Sequence, residues 1–352
     1  QRNYMILIDG SEGWGQVLRT AIALSALTLK PVKIINIRAS RPKSGLMPQH
    51  LMGIKVAAEF CDAEVSGLEY GSMEVEFKPR KFDVKDKTID IGTSGSIPLL
   101  LQTLTPLLAF ANKKTTLEIV GGTAGLGSPT IEFIKHVTFP LLNKLGLPTP
   151  KIEVLKQGFY PRGGGRVRIT FEPVKLLTYV NLTEPGKILA LRGISIAGSL
   201  PESVALRQAE AAKQELKKIS ENVEIKSEAV ATYSQGTSIT LWAETENSIL
   251  GSDNIGKRGV RAEDIGREAA LQLIKSIESK AALDKFMADQ IIPFLALAHG
   301  KSSVTVEEIT QHCTSNISVC EKILGCKFSV DKLSKRIEVE GISFTPNVFE
   351  KA

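Results

Sequence analysis

Phosphate chemistry is the reaction class for which this chain offers the most suitable side chains. His312 stands in "TQHCTSN", read as a loop just before a helix that Thr314 or Ser315 can cap. A neutral imidazole is a competent nucleophile near neutral pH, and an adjacent helix N-terminus stabilises charge developing on phosphoryl oxygens. The stretch "IRASRPKSGLMPQHL" carries Arg38, Arg41 and Lys43 at Arg-x-x-Arg-x-Lys spacing, then Gln49 and His50. Such a group can clamp phosphates, the arginines in bidentate fashion. The same charges also suit a solvated loop. Glu12 lies in the Gly-rich turn of "IDGSEGWGQVLRT". A carboxylate repels a neighbouring phosphate unless a divalent cation sits between them, so Glu12 is a coherent Mg2+ or Mn2+ ligand. Its charge is equally favoured by a bare helix N-terminus. The turn has neither the Gly-Lys-Ser/Thr of a P-loop nor the glycine spacing of a dinucleotide fingerprint.

These residues must be positioned by the elements around them. A β-rich run, a loop of small residues and an apolar-periodic helix recur in that order. The copies are "YMILIDG–SEGWG–QVLRTAIALSAL", "KTIDIG–TSGS–IPLLLQTLTPLLAFA", "TTLEIVGG–TAGLGS–PTIEFIKHVTFPLLNKLG" and "SSVTVEEI–TQHCTS–NISVCEKILG", the last followed by the strand "CKFSVD". In the third copy Ser128 is placed to cap the helix, Pro129 to take its first position and Gly146 to end it. Each copy sets a loop at a helix N-terminus, where free N–H groups and the dipole favour anions. The rhythm breaks over residues 185–275, where strands (186–198, 223–231, 236–245), helices (202–219, 261–277) and a loop, "SDNIGKRG", alternate differently. The expected fold is therefore α/β (α+β). A large domain of repeated units (1–184 and 276–352) is interrupted by a small α/β domain (185–275). "GFYPRGGGRVRI" joins two strand-like runs, and its three glycines indicate a tight turn or a close backbone approach.

The length of 352 residues suits about two domains. Lys plus Arg total 44 against 38 Asp plus Glu, a net charge of +6, and residues 1–60 hold eight of the former and three of the latter. That local excess suits a nucleotide or nucleic acid, or simply a solvated basic face. No apolar run approaches the roughly 18–20 residues of a membrane span, and "QRNYMILIDG" lacks signal-peptide features, so a cytoplasmic protein without membrane contact is expected. The four cysteines form no CxxC pair and are expected as reduced thiols rather than a metal site.

Taken together, "EGWGQVLRT", "IRASRPKSGLMPQHL", "GGT" at 121–123, "GFYPRGGG", "ADQ" at 288–290 and "QHCTSN" resemble the RNA 3′-terminal phosphate cyclase family, in that family's order and over nearly the whole chain. The resemblance implies repeated α/β units with an inserted smaller domain, and an ATP-dependent ligase acting on RNA that bears a 3′-terminal phosphate. It implies that His312 attacks the α-phosphorus of ATP, that AMP passes to the RNA 3′-phosphate, and that the 2′-hydroxyl displaces AMP to leave a 2′,3′-cyclic phosphate. Carried over by position, Glu12 matches the metal ligand (Mg2+ or Mn2+). Arg19, Arg38, Arg41 and Gln49 match phosphate or substrate contacts, with Lys43 beside them, and Gln102 matches a nucleotide contact. Pro129, Asp289 and Gln290 match the adenosine pocket, with Phe286 at the base. GTP is the alternative nucleotide. Trp14, where the family carries glycine, and Pro48, where a basic residue is common, depart from the pattern. The Lys/Arg-rich helices of the inserted domain offer a surface to RNA or to the second subunit of a homodimer. Two other readings compete: a non-catalytic ribosome-assembly relative lacking the histidine, and an enolpyruvyl transferase.

Overall fold

The computed structural model describes residues 4–11 and 13–346. The first unit runs β1 (Ile6–Asp9), α1 (Trp14–Thr28), β2 (Val32–Ile35), α2 (Pro48–Cys61), β3 (Glu64–Ser66) and β4 (Val75–Lys78). The second repeats it with β5 (Lys87–Asp90), α3 (Ile97–Ala109), β6 (Thr115–Gly121), the short helices α4 (Ile131–Phe133) and α5 (Phe139–Asn143), β7 (Lys151–Lys156) and β8 (Gly165–Phe171). A third unit opens with β9 (Asn181–Leu182) and is then interrupted. The interruption holds β10 (Ile188–Gly198), α6 (Glu202–Leu216), β11 (Val223–Val230), β12 (Gly236–Thr245), β13 (Ile249–Ile255) and α7 (Ala262–Glu278). The third unit resumes with α8 (Lys285–Gln290), α9 (Ile292–Leu297), β14 (Lys301–Thr305), α10 (Gln311–Leu324), β15 (Phe328–Asp331) and β16 (Arg336–Glu340).

The three units share one topology. Their sheets run β1-β2-β4-β3, β5-β6-β8-β7 and β9-β14-β16-β15, so each is ordered first, second, fourth, third. In each the first two strands pair in parallel and the others antiparallel. Parallel neighbours need a crossover, which here is a helix. The β-to-α loops therefore leave the same end of each sheet and feed helix N-termini. The four copies seen in the sequence are thus halves of three units, the second and third copies belonging to one. The fold is mixed α/β. No described helix is long and apolar enough to cross a membrane, and all four cysteines are free and buried.

Helix α3, "IPLLLQTLTPLLA", is apolar nearly all round, which only a fully surrounded helix can satisfy, and α1 packs against both α3 and α10. The helices of different units therefore face one another. Pro140 lies just after a π-helical turn (Ile134–Thr138) that links α4 to α5. Proline cannot supply the next helical N–H, and Phe139 N donates five residues back to Ile134 instead.

Several local expectations need correction. The third helix begins at Ile131, and Thr130, not Ser128, caps it by accepting from Phe133 N at 3.2 Å. Pro129 consequently stands ahead of the helix. The helix ends at Asn143, and Gly146 (φ 102°) closes the turn beyond it. Ser252–Ile255, expected in a loop, is the second half of β13, paired with β12 along its length.

The interrupting sheet, β11-β10-β12-β13, carries α6 and α7 with their own apolar cluster around Leu191, Leu241, Ile265 and Leu273. It also meets the second unit. The His136 ring stacks on Trp242 (4.2 Å, 8°), and Thr130 N donates to Asp253 Oδ2 at 2.9 Å. The "GFYPRGGG" loop is the wedge between them. Phe159 fits against Gly198 and Gly236, where a Cβ would overlap its ring. Gly163 and Gly164, at φ +63° and +70°, lie against the Thr93 carbonyl and the Tyr233 ring. The glycines serve as turn and close approach at once.

Candidate active site

The N-terminal ends of α1, α2, α3 and α10, the loop before α4, and α8 all open on one cleft of about 1970 Å3. Arg19, Arg38, Arg41, Gln49, Gln102, Pro129, Phe286, Asp289, Gln290 and His312 all line it. Residues separated by up to 293 positions thus meet because every unit directs its β-to-α loops to the same place. Lys43 does not join them. Arg38 Nη1 donates to the Gly45 carbonyl at 2.9 Å, drawing the loop closed at its base and leaving Lys43 exposed outside the cleft lining. Glu12 lies outside the described residues.

His312 is the second residue of α10, not a loop residue as expected. Thr310 caps the helix by accepting from Cys313 N at 3.1 Å. The imidazole therefore sits within the first turn, among N–H groups that favour anions. Burial first, and then Arg19 and Arg41, hold its pKa below the ordinary histidine value. A pKa below the ordinary value favours the neutral ring at neutral pH.

Arg19 comes from the second turn of α1. Burial pushes its guanidinium down to about 10, against the attraction of Asp289. Its Nη2 donates to Gln16 Oε1 at 3.2 Å, while its Nε is buried with no partner among the described residues. Gln102 is the only amide on the apolar helix α3, and its Oε1 is likewise buried without a described partner. Pro106, four residues on, has no N–H for the Gln102 carbonyl. Asp289 is pushed up to about 7 by burial, and Gln290 Nε2 donates to its Oδ2 at 3.2 Å. Phe286 is 39% exposed, its ring edge-on to Phe133 at 6.2 Å.

Other residues of the site were less visible in the sequence. His50 Nδ1 accepts from Met47 N at 3.0 Å, which leaves the proton on Nε2. Burial, with Arg19 and Arg38, holds that ring to about 3, so it is a fixed neutral donor on the cleft wall. Ser96 caps α3 through Leu99 N (3.1 Å) and meets Ser128 Oγ at 2.5 Å, both on the lining. The Ser-Ile-Pro opening of α3 is a legible cap signal. Asn316 lies inside α10, where nothing in the sequence distinguishes it from a surface amide.

This arrangement can hold a polyphosphate on three arginines and several helix N-termini while presenting a neutral nucleophile to it. The family description "RNA 3'-terminal phosphate cyclase" matches residues 10–330. Proteins named RNA 3'-terminal phosphate cyclase are similar along almost their whole length. The one from Pyrococcus furiosus is 46% identical over 93% of this chain and 95% of its own. The one from Pyrococcus abyssi is 45% identical over 93% and 95%. The one from Pyrobaculum aerophilum is 43% identical over 96% and 99%. Among solved structures, an EPSP synthase from Acinetobacter baumannii covers 96% of this chain and 65% of its own at 12% identity and a TM-score of 0.29, too weak a likeness to carry an argument. The full-length match to the family description and to its curated relatives places this chain in the RNA 3′-terminal phosphate cyclase family.

Proposed function

We propose that this chain uses ATP to convert an RNA 3′-terminal phosphate into a 2′,3′-cyclic phosphodiester, through a covalent adenylate on His312. The observation that carries the reading is the position of His312, neutral and in the first turn of α10, in one cleft with Arg19, Arg38 and Arg41. The imidazole lone pair attacks the α-phosphorus, a P–N bond forms, and the P–O bond to pyrophosphate breaks. A phosphate oxygen of the RNA end then takes the adenylate, breaking the P–N bond and forming a mixed anhydride. The 2′-hydroxyl attacks the 3′-phosphorus, loses its proton, and expels AMP with the bonding pair. Activation is required because a phosphate monoester has no good leaving group, and the anhydride supplies AMP as one.

The residues present suit a nucleotide. A buried polar atom without a partner costs roughly 1–3 kcal/mol; among the described residues Arg19 Nε and Gln102 Oε1 are such atoms on the cleft, and a bound nucleotide can satisfy them. Pro129 and the braced ring of Phe286 offer apolar contact to a base, and Asp289 with Gln290 offers polar contact to the nucleoside. Arg38, Arg41 and Gln49 are left for phosphates of the nucleotide or the RNA end. A divalent cation at those phosphates supplies charge neutralisation, and Glu12 is the carboxylate this chain offers to Mg2+ or Mn2+. The test is to incubate the protein with ATP, or GTP, and an RNA oligonucleotide carrying a 3′-phosphate. Cyclisation makes the terminal phosphate resistant to phosphomonoesterase. A terminus that stays sensitive contradicts the reading.

A further inference from the structure

The cleft holds more positive charge than a triphosphate and one terminal phosphate require. Nine Lys and Arg against three Asp and Glu line it among the described residues. Five of the nine, Arg162, Arg207, Lys257, Arg258 and Arg261, lie on the "GFYPRGGG" loop and the interrupting segment rather than on the units that carry His312. All five are exposed. Arg207 and Arg261 pair with Glu263 and Asp264 at 3.4 and 3.3 Å. Lys257 and Arg258 have no carboxylate in ion-pair range among the described residues, so their charge is available. A pocket for one small molecule is about 300–1,000 Å3, and this cleft is about 1970 Å3, so it has room for a second ligand.

Aromatic surface accompanies the charge. Tyr160 is 76% exposed and lines the cleft. Tyr233, 57% exposed, packs beneath the same loop, with Lys156 Nζ 3.5 Å and the Arg162 guanidinium 5.9 Å from its ring centroid. The loop itself is held at both ends. Arg162 N donates to Ser234 Oγ at 3.0 Å, and Phe159 is seated between Gly198 and Gly236. An exposed ring on a braced loop, in one cleft with unopposed cations, is the arrangement that binds single-stranded nucleic acid: phosphates meet the cations and a base stacks on the ring.

We propose that the interrupting segment and the "GFYPRGGG" loop together form the strand-binding wall of the cleft: Lys257 and Arg258 hold phosphodiesters of the RNA upstream of its terminal phosphate, and Tyr160 stacks on a base of that strand. This deepens the cyclase reading and rests on it for the identity of the strand.

The test uses the full chain, the Lys257→Ala/Arg258→Ala double variant, Tyr160→Ala and Tyr160→Phe. Cyclisation is measured on a 3′-phosphorylated RNA of about ten nucleotides, a length within the span such surfaces track, and on a 3′-phosphorylated dinucleotide. In the double variant and in Tyr160→Ala, KM for the long RNA rises about tenfold, KM for the dinucleotide is unchanged, and adenylylation by ATP alone is unchanged. Tyr160→Phe, which keeps the ring, behaves as the parent. Direct titration of a non-reactive 3′-hydroxyl RNA of the same length reads binding without chemistry. There the double variant loses about 1.4 from the slope of log affinity against log salt, roughly 0.7 for each cation removed. Equal effects on long and short RNA, or an unchanged salt slope, overturn the proposal. A parent protein that binds the 3′-hydroxyl RNA with this slope but cyclises nothing fails the cyclase reading while the wall stands.

Discussion

Asn316 ties Asp289 to the helix that carries His312. Its Nδ2 donates to the Asp289 carbonyl at 2.9 Å, and its Oδ1 accepts from Thr20 Oγ1 at 2.8 Å. Asn316 lies one helical turn after His312, and Thr20 follows Arg19. One buried amide therefore sets α1, α8 and α10 in register, and with them Arg19, Asp289 and His312. Asn316→Ala leaves a buried hydroxyl and a buried carbonyl without partners, and stability is expected to fall by about 1–3 kcal/mol in chemical denaturation. Nucleotide affinity measured by calorimetry falls with it. Unchanged affinity in a folded variant contradicts this positioning role.

If His312 is the nucleophile of the proposed adenylylation, its lowered pKa sets the acid limb of that reaction. Protonation removes the attacking lone pair, so adenylylation falls as pH drops through the folded pKa, which lies below the ordinary 6.5. Arg19 is one cause of the depression. In Arg19→Gln the limb is expected to move upward in pH, while overall activity is expected to drop with the proposed phosphate contact. The pH–rate profile of self-adenylylation separates the two effects. A limb at the same pH in both proteins contradicts the electrostatic coupling.

Glu132 makes stability depend on pH in the opposite sense to a salt-bridged acid. It is buried, accepts from Gln157 Nε2 at 2.9 Å, and burial raises its pKa from 4.5 to about 7. A raised folded pKa means the fold prefers the protonated acid. The stability associated with it is full below 4.5 and is lost as pH rises from there to about 7. The loss is roughly 3 kcal/mol at 1.36 kcal/mol per pKa unit. Glu132→Gln keeps an acceptor for Gln157 without the charge, so melting temperatures above pH 7 rise relative to the parent and converge with it near pH 4.

The seat of Phe159 couples the interrupting segment to the second unit. Gly236→Ala places a Cβ against the ring and is expected to cost about 1–3 kcal/mol as an overpacked contact. Protease should then cut near the 156–165 loop faster than in the parent, because the wedge is displaced.

Of the candidate site's lining, Arg38, Arg41, Gln49 and His312 stood out in the sequence by their loops, whereas Arg19, Gln102, Pro129, Phe286, Asp289 and Gln290 were named only through the family resemblance. The observed helix starts at Thr130 and Thr310 lie two to five residues ahead of or behind those the sequence suggests. Both places offer more than one hydroxyl within a few residues, and only the tertiary setting decides which one caps. At Thr130 the backbone N–H is taken by Asp253, a residue 123 positions away. Ser252–Ile255 resembled a loop because Ser, Asp and Asn are turn formers, yet pairing with β12 overrides that preference. The three-unit symmetry was hidden by the insertion between β9 and α8. Asn316 and the Phe159 seat gave no signal, since each is defined by its partners rather than by its neighbours in the chain.

The central claim is that His312 carries a covalent adenylate. Incubation with ATP labelled at the α-phosphorus and a divalent cation, followed by denaturing electrophoresis, reads it directly. The account predicts label on the protein that is lost in acid, survives alkali as a P–N bond does, and is absent from His312→Ala. Label that persists in folded His312→Ala, or a parent protein that cyclises RNA 3′-phosphates without ever becoming labelled, would contradict it.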